Sequence, residues 1–403
     1  DIDIPLIRTL VAMEHRGVGI DGAYLAKLSS DTTQKIAVLE KGIHADAGKA
    51  FNINSPVQVS AILFDTLGLQ KKGLRRTTTG RQSTDASELS KLRAVHPIIE
   101  KILQHRELQK LRTTYIDVLP ELADRGGRIH TTYNQTGTVT GRISSSDQNL
   151  QNIPISTELG KNIRRAFIAS PGYTFIAFDY SQIELRLAAH MSSDPKMIQA
   201  FRDGDDIHQT TAAAVKNISK DEVTPELRRE AKALNFGILY GMGARAFAES
   251  AGVSLEEAKD FIERYFENFS HLKAFMDSLR EHARMHGFVE TLFRRRRSIP
   301  ELKSPYTRVR MEGERMAINM PIQGTAADLM KMAMNKVYTE VVIGAPPGDI
   351  YPIAQVHDEL IFEVKKGSAK HYRDMIIKIM ESVAELRIPI GVDVSEGVTW
   401  ADL

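Results

Sequence analysis

Two β-patterned stretches, separated by close to half the chain, do most to limit what this sequence can fold into. "YTFIAFDY" (173–180) is an apolar run that ends at Asp179, and "YPIAQVHDELIFEV" (351–364) has two apolar arms meeting at His357-Asp358, the pattern of a tight hairpin. Sheets are assembled from strands distant in sequence, so the residues between these stretches must leave one sheet and return to it. That intervening pattern is mostly helical, which predicts an α+β fold: a small sheet built from distant segments, with helical excursions between them. A "PPGD" turn at 346–349 precedes the hairpin.

The first 120 residues also read as largely helical. "PLIRTLVAMEHRG" has helical spacing and stops at Gly17, and "AYLAKLSSDTTQKIAVLEKGIHADAG" and "ILQHRELQKLRTTYIDVL" are longer helical runs. Between the last two lies "LQKKGLRRTTTGRQSTD", with Lys71, Lys72, Arg75, Arg76 and Arg81 and no acid before Asp85. It reads as a basic loop at the tip of a helical arm, or equally as a solvated charge run. "GRIHTTYNQTGTVTGRIS" alternates in the β manner, "NIRRAFIASPGYTFIAFDY" reads as further strands, and helical patterns return from about 182 to 340. At 403 residues the chain has room for two or three subdomains. It opens on Asp1 without methionine, which predicts a piece of a longer protein.

Totals exclude more than they identify. A net charge of +2 removes any argument from overall polycation character, so local clustering has to carry the charge argument. With no cysteine there are no disulfides and no thiolate metal sites, which fits a reducing compartment or an engineered cysteine-free chain. No apolar run approaches the roughly 18 residues of a membrane span, and no signal-peptide pattern opens the chain.

Three constellations have chemistry in them. Asp179 and Asp358 are strand-borne carboxylates that a sheet could bring together, and two such groups in a partly buried site call for a cation. Oxygen ligands without a Cys or His cluster favour Mg²⁺ or Mn²⁺. Read alone, an Asp in either place is more often a helix or turn cap. The second constellation is the helix "PELRREAKALNFGILYGMG", where Arg228, Lys232, Phe236 and Tyr240 recur every four residues opposite Leu227, Ala231, Leu234 and Ile238. Two cations followed by two aromatics suit a nucleoside triphosphate, although a basic surface helix with half-packed aromatics reads the same. The third is a set of donors on irregular backbone: Arg142, Asn149, Gln151 and Asn152 of "TGRISSSDQNLQNIP", Arg164 of "KNIRRAFI", and Asn319 and Gln323 of "NMPIQGTAADLMKMAM". Such groups read minor-groove acceptors and phosphates, or satisfy loop backbone. The run Arg294 to Arg297 in "LFRRRRS" reads as solvated surface or a phosphate contact.

Taken together these stretches resemble the polymerase region of family A DNA polymerases, the bacterial DNA polymerase I type. "DYSQIELR" is similar to the family's motif A, "RREAKALNFGILYG" to motif B and "QVHDELIFEV" to motif C, and "TGRISSSDQNLQNIP" and "NMPIQGTAADLM" match two further signatures, in order, over nearly the whole chain. The resemblance implies a right-hand polymerase fold: a palm entry segment at 1–25, a thumb at 26–112, palm at 113–190 and 345–403, and fingers with an adjoining helix at 191–344. It implies a template-directed DNA polymerase of replication or repair that extends a primer with dNTPs on two Mg²⁺ ions, with Mn²⁺ as a substitute. By that resemblance Asp179, Asp358 and the carbonyl of Tyr180 hold the ions, with Glu359 as a secondary ligand or water organiser. Arg228, Lys232 and His208 grip phosphates, Lys232 protonates the leaving pyrophosphate, and Phe236 stacks on the new pair. Tyr240 stands near the template base, Gln182 belongs to the nucleotide site, and Glu184 blocks a ribose 2′-hydroxyl. Arg142, Asn149, Gln151, Asn152, Arg164, Asn319, Gln323 and His357 line the duplex, with Lys71, Lys72, Arg75 and Arg76 as further DNA contacts. The expected partners are primer-template DNA and dNTP, for a monomer without a membrane, in the cytoplasm of a bacterium or a virus's host. "LFRRRRS" is more basic than the resemblance leads one to expect, and "GMGARAF" has Gly where Ser is commoner. The absence of a large finger insertion argues against the specialised repair branch. A metal-dependent nuclease shares the paired carboxylates but has no use for the 228–240 helix, a silent DNA-binding module has no need of Asp179 or Asp358, and Glu184 argues against a single-subunit RNA polymerase.

Overall fold

The computed structural model describes residues 2–69, 73–155 and 157–403. At its centre is a four-stranded antiparallel sheet made of β1 (Tyr173–Tyr180), β2 (Ile350–Val356), β3 (Glu359–Lys365) and β4 (Val392–Gly397), in the order β4-β1-β3-β2. The middle of β1, Phe175–Phe178, is apolar because both of its faces are covered. Ile176, Phe178 and Tyr180 point into one core with Leu360, Phe362 and Val364, whereas Phe175 and Ala177 point into another with Ile361, Val356 and Trp400. β2 and β3 form the expected hairpin, with His357 in the left-handed region at φ 56°. Asp349 N–H bonds Pro346 carbonyl at 3.1 Å, closing the turn before it.

The helices follow their sequence punctuation. The first, Asp3–Arg16, ends at Gly17, whose φ of 60° suits glycine and whose N–H bonds Met13 carbonyl. Gly22–Ala47 starts on an Asp21 cap and packs against Ile98–Leu111, forming an arm. The arm's far end has its own small core of Ile43, Val59, Leu63, Leu89, Ile99 and Ile102. Beyond β1 and its following helix Ile183–Ser192, the helices from Pro195 to His286 form a layer packed on the core of Ile238, Phe247, Phe261, Tyr265 and Leu272. The chain returns to the sheet along Thr307–Val337, a 31-residue helix that is mostly buried in its second half. Among the described residues, no helix is long and apolar enough to cross a membrane.

Two local readings change. "NIRRAF" is helical rather than strand: Glu158–Arg165 begins on a Thr157 cap whose hydroxyl accepts from Gly160 N–H, and only short bridges at Phe167 and Ile168 are β. The four arginines of "LFRRRRS" also part company. Arg295 donates to the buried Asp328 at 2.7 Å and to Asp3 at 3.0 Å, and the buried Lys331 also reaches Asp3, at 2.8 Å. Arg296 pairs with Glu290 and lies 4.5 Å over the Phe288 ring. What reads as a surface charge block therefore pins the first helix to the long one. Asp328→Ala leaves Arg295 with Asp3 as its remaining anion and removes its bond to the buried carboxylate, so it is expected to destabilise by about 1.5–3 kcal/mol, read as a lower denaturant midpoint.

Candidate active site

Antiparallel register is what makes a site from separate aspartates. Asp179 on β1 stands directly across from Glu359 on β3 and from Asp393 on β4. Tyr180 N–H bonds the carbonyl of Asp358 at 3.1 Å, which fastens the hairpin tip beside the end of β1. The tip is braced from behind: Gln355 donates to His357 carbonyl at 2.5 Å, and Gln151 donates to Gln355 carbonyl at 3.2 Å. Asp179 reaches solvent on its outer side, yet the crowded strand ends strip much of its hydration. That desolvation, then the charges of Asp358, Glu359 and Asp393, push its carboxyl up to about 7. Burial pushes Glu359 up to about 6, with Arg164 opposing the rise and Asp358 adding to it.

The charges of Asp358, Glu359 and Asp393 crowd Asp179 without a matching positive charge, which a divalent cation would supply. Among the described residues, no three Asp, Glu or His side chains close into a protein-only metal cage. This donor set suits Mg²⁺, which takes one or two carboxylates and completes its shell from water and substrate phosphates. Sequence reading missed Asp393. Its only signal was an acid in the apolar-polar alternation of "IGVDVSEG", and strand pairing alone aligns it with Asp179.

The second half of the site is the Pro225–Leu239 helix, capped by Thr224 and begun by Pro225. It buries Ala231, Leu234 and Ile238 and leaves Arg228, Lys232 and Tyr240 exposed, with Phe236 half-buried. Arg228 grips Asp206 through two nitrogens, at 2.7 and 2.8 Å. Asp206 was missed as well, though it stands two residues before His208. Among the described residues Lys232 forms no ion pair. His208, expected to join the phosphate grip, is 2% exposed, its Nδ1 lies 3.0 Å from Asn235 Nδ2, and burial lowers its pKa to about 4. Its imidazole is therefore neutral, and it packs 5.7 Å from the Phe236 ring at an interplanar angle of 47°.

The halves meet at Glu184. Its carboxylate, 9% exposed, accepts from Arg142 at 2.5 Å on one oxygen and from the Tyr240 hydroxyl at 2.7 Å on the other. Burial and the Glu184 charge push the Tyr240 phenol up to about 12, so it stays a donor, and Gln323 also bonds it. Gln182 opens the Ile183–Ser192 helix at φ 51°, and its buried Oε1 has no hydrogen-bond partner among the described residues.

Other expected duplex contacts have internal partners instead. Asn149 accepts from Ser145 Oγ and Gln151 N–H, and Gln151 braces the hairpin tip. Arg164 is 7% exposed, lies 4.8 Å over the Trp400 ring and donates to Ile153 carbonyl. The Asn319 amide, oriented to satisfy both its ends, donates to the carbonyls of Arg315 and Leu239, joining two helices. Asn152 and His357 are exposed. Arg75 is less free than its sequence surroundings suggest, because folding returns Glu88 and Asp85 to it at 3.3 and 3.7 Å. Arg76 donates to Gly80 carbonyl, while Lys71 and Lys72 lie outside the described residues.

A family model described as DNA polymerase family A matches residues 22–402. The chain belongs to that family. Family A relatives include the "DNA polymerase I, thermostable" of Thermus aquaticus, 48% identical over 402 residues, covering 99% of this chain and 48% of the relative. The DNA polymerase I of Deinococcus radiodurans is 45% identical, covering 100% and 42%. This chain thus spans about half the length of the curated relatives it matches. Among solved structures, the "POL domain of Pol1 from M. smegmatis complex with DNA primer-template and dNTP" superposes with a TM-score of 0.93 at 39% identity, covering 100% of this chain and 70% of that one. The right-hand polymerase fold, α+β with an antiparallel palm sheet, follows for this family A chain.

Proposed function

We propose that this chain is a template-directed DNA polymerase, joining a deoxynucleoside monophosphate to a primer 3′-hydroxyl and releasing pyrophosphate. The observation that carries this is the Tyr240–Glu184 bond of 2.7 Å. It locks the helix bearing two cations and an aromatic to the strand-and-helix unit bearing Asp179, so phosphate grip, base platform and carboxylate cluster face one substrate. In this reading the sheet is the palm (1–25, 113–190 and 345–403), the helical arm is the thumb (26–112) and the 191–344 layer is the fingers.

Asp179, Asp358 and the Tyr180 carbonyl would hold two Mg²⁺ ions, with Glu359 alongside. When bound, such ions lower the pKa of an attacking hydroxyl and offset charge on the phosphates. Arg228, released from Asp206, and Lys232 bind the triphosphate, and Lys232 is the ammonium placed to protonate the departing pyrophosphate. Phe236, packed against His208, stacks on the incoming base, and Tyr240 holds the template-base position. Arg142, Asn152, Gln323 and His357 face the duplex, while Asn149, Gln151, Arg164 and Asn319 shape the floor beneath it. Primer-template DNA and dNTP are the partners, for a monomer acting beside DNA inside the cell.

Incubation with a labelled primer, a template, Mg²⁺ and either deoxy- or ribonucleotides tests the reading. Extension that follows the template and requires deoxynucleotides is expected. Shortening of the primer without extension would assign a nuclease instead, and equal use of ribonucleotides would assign an RNA polymerase.

A further inference from the structure

The end of the helix Ser270–His286 carries a pair of side chains that none of these roles uses. His282 and His286 stand four residues apart, so they share one face of that helix. Their rings are stacked, with centroids 4.2 Å apart and an interplanar angle of 27°. Phe288, just past the Gly287 stop, packs edge-on against His282 at 5.4 Å and approaches His286 at 6.1 Å. Arg296 covers that phenyl ring and is itself paired with Glu290, so the ring the pair leans on is held in place. His286 is exposed and His282 half-buried, which leaves the pair open to solvent.

One hydrogen bond fixes a tautomer. His286 Nδ1 lies 3.0 Å from the carbonyl of His282. A carbonyl oxygen only accepts, so Nδ1 carries the proton, and in the neutral ring Nε2 keeps its lone pair. A metal-binding histidine is ordinarily held in the same way, by donating its other ring N–H to a carbonyl or carboxylate. Among the described residues neither nitrogen of the His282 ring has a hydrogen-bond partner. Two nitrogens on one ion, at about 2.0–2.1 Å each, lie at most about 4 Å apart. Rings stacked at 4.2 Å fit that span. The carbonyl end of the helix favours positive charge, and Glu290 lies within electrostatic reach of His282. Imidazole suits Cu²⁺, Ni²⁺ and Zn²⁺, whereas Mg²⁺ takes oxygen.

We infer that His282 and His286 chelate a divalent transition-metal ion of the Cu²⁺, Ni²⁺ and Zn²⁺ class, with water completing its shell. The site differs from the Asp179 cluster in place and in chemistry: two imidazoles on one helix, against carboxylates gathered at strand ends. The ion clips the last helical turn just ahead of the hairpin formed by Phe288–Glu290 and Arg296–Ser298, whose connecting loop carries Arg295. The inference does not depend on the polymerase reading.

The test is calorimetric Cu²⁺ binding to the metal-stripped chain, with pulsed electron paramagnetic resonance, which detects the remote nitrogen of a ligating imidazole. The tightest wild-type site is expected to show two imidazoles, and Ni²⁺ and Zn²⁺ are expected to bind it more weakly. His282→Gln and His286→Gln should each weaken that site at least about tenfold. His271→Gln, an exposed histidine on the same helix, should leave it unchanged. Cu²⁺ at ten times its wild-type Kd should raise the wild-type melting temperature by about 1–3 °C, and that of either weakened variant by less than half as much. Glutamine is a good helix former, so circular dichroism and Mg²⁺-driven extension should stay at wild-type values. Equal Cu²⁺ binding in the wild type and both weakened variants, or displacement of the ion by excess Mg²⁺, overturns the inference. A wild-type spectrum without two imidazoles does so as well, with no variant needed.

Discussion

Asp179→Asn is expected to reduce templated extension by at least about three orders of magnitude while leaving duplex affinity within a few fold. The substitution keeps the shape of the strand end but removes the anion standing between Glu359 and Asp393. In the proposed mechanism several kcal/mol of transition-state charge stabilisation would depend on cations held there, and about 4 kcal/mol is a thousandfold in rate. The same change has an opposite effect on the free protein. The Asp179 carboxyl titrates near 7 in the folded state against an ordinary 3.8. Between those values the folded protein holds a proton that the unfolded chain releases, so stability falls as pH rises through that window. Asparagine removes this term. At pH 8 without divalent ions, the variant is expected to gain about 1 kcal/mol, well below what the full shift implies because solvent screens an exposed group. The melting temperature should rise by roughly 1–3 °C, with no gain near pH 3. Adding Mg²⁺ should then raise the melting temperature of the wild type more than that of the variant. Retained activity in Asp179→Asn would sink the carboxylate assignment.

The second large effect is expected at Glu184. Two hydrogen bonds, from Arg142 and Tyr240, leave its carboxylate no freedom to swing aside. A ribose 2′-hydroxyl meeting it finds a fixed wall, and overlap of that kind costs about 1–3 kcal/mol or somewhat more. Glu184→Ala should therefore narrow the preference for deoxy- over ribonucleotides by about a hundredfold, measured as the ratio of kcat/KM values. Glu184→Gln keeps the bulk and can still accept from Tyr240, so most discrimination should persist. An unchanged ratio in the alanine variant would remove Glu184 from substrate choice. Because Arg142 is held by Glu184 in the free protein, its part in the duplex site requires exchanging that carboxylate for DNA.

Much of this was legible before any coordinates. β1 showed itself by an apolar run too continuous for a surface strand, the hairpin by two apolar arms about a polar apex, and the Pro225–Leu239 helix by its cap, first-turn proline and four-residue repeat. The misreadings share a cause: they concern who partners whom. "NIRRAF" has too few residues for periodicity to separate helix from strand, and the Thr157 cap decided it. Arg295 looks like its three arginine neighbours in sequence, but only it meets Asp328 and Asp3. The burial of His208 and its pairing with Asn235 were likewise invisible in the sequence.

The amino-acid sequence by itself determined the strands, the helices and the kind of chemistry, because caps, periodicity and side-chain type are local properties. It placed Asp179, Asp358, Arg228, Lys232 and Glu184 on the correct elements. Only the tertiary structure decided which charges face each other. Antiparallel pairing set Asp393 and Glu359 on either side of Asp179, and packing tied Glu184 to both Arg142 and Tyr240. Electrostatic energy depends on distance and on lost water, and neither is defined until residues far apart in the chain share one space.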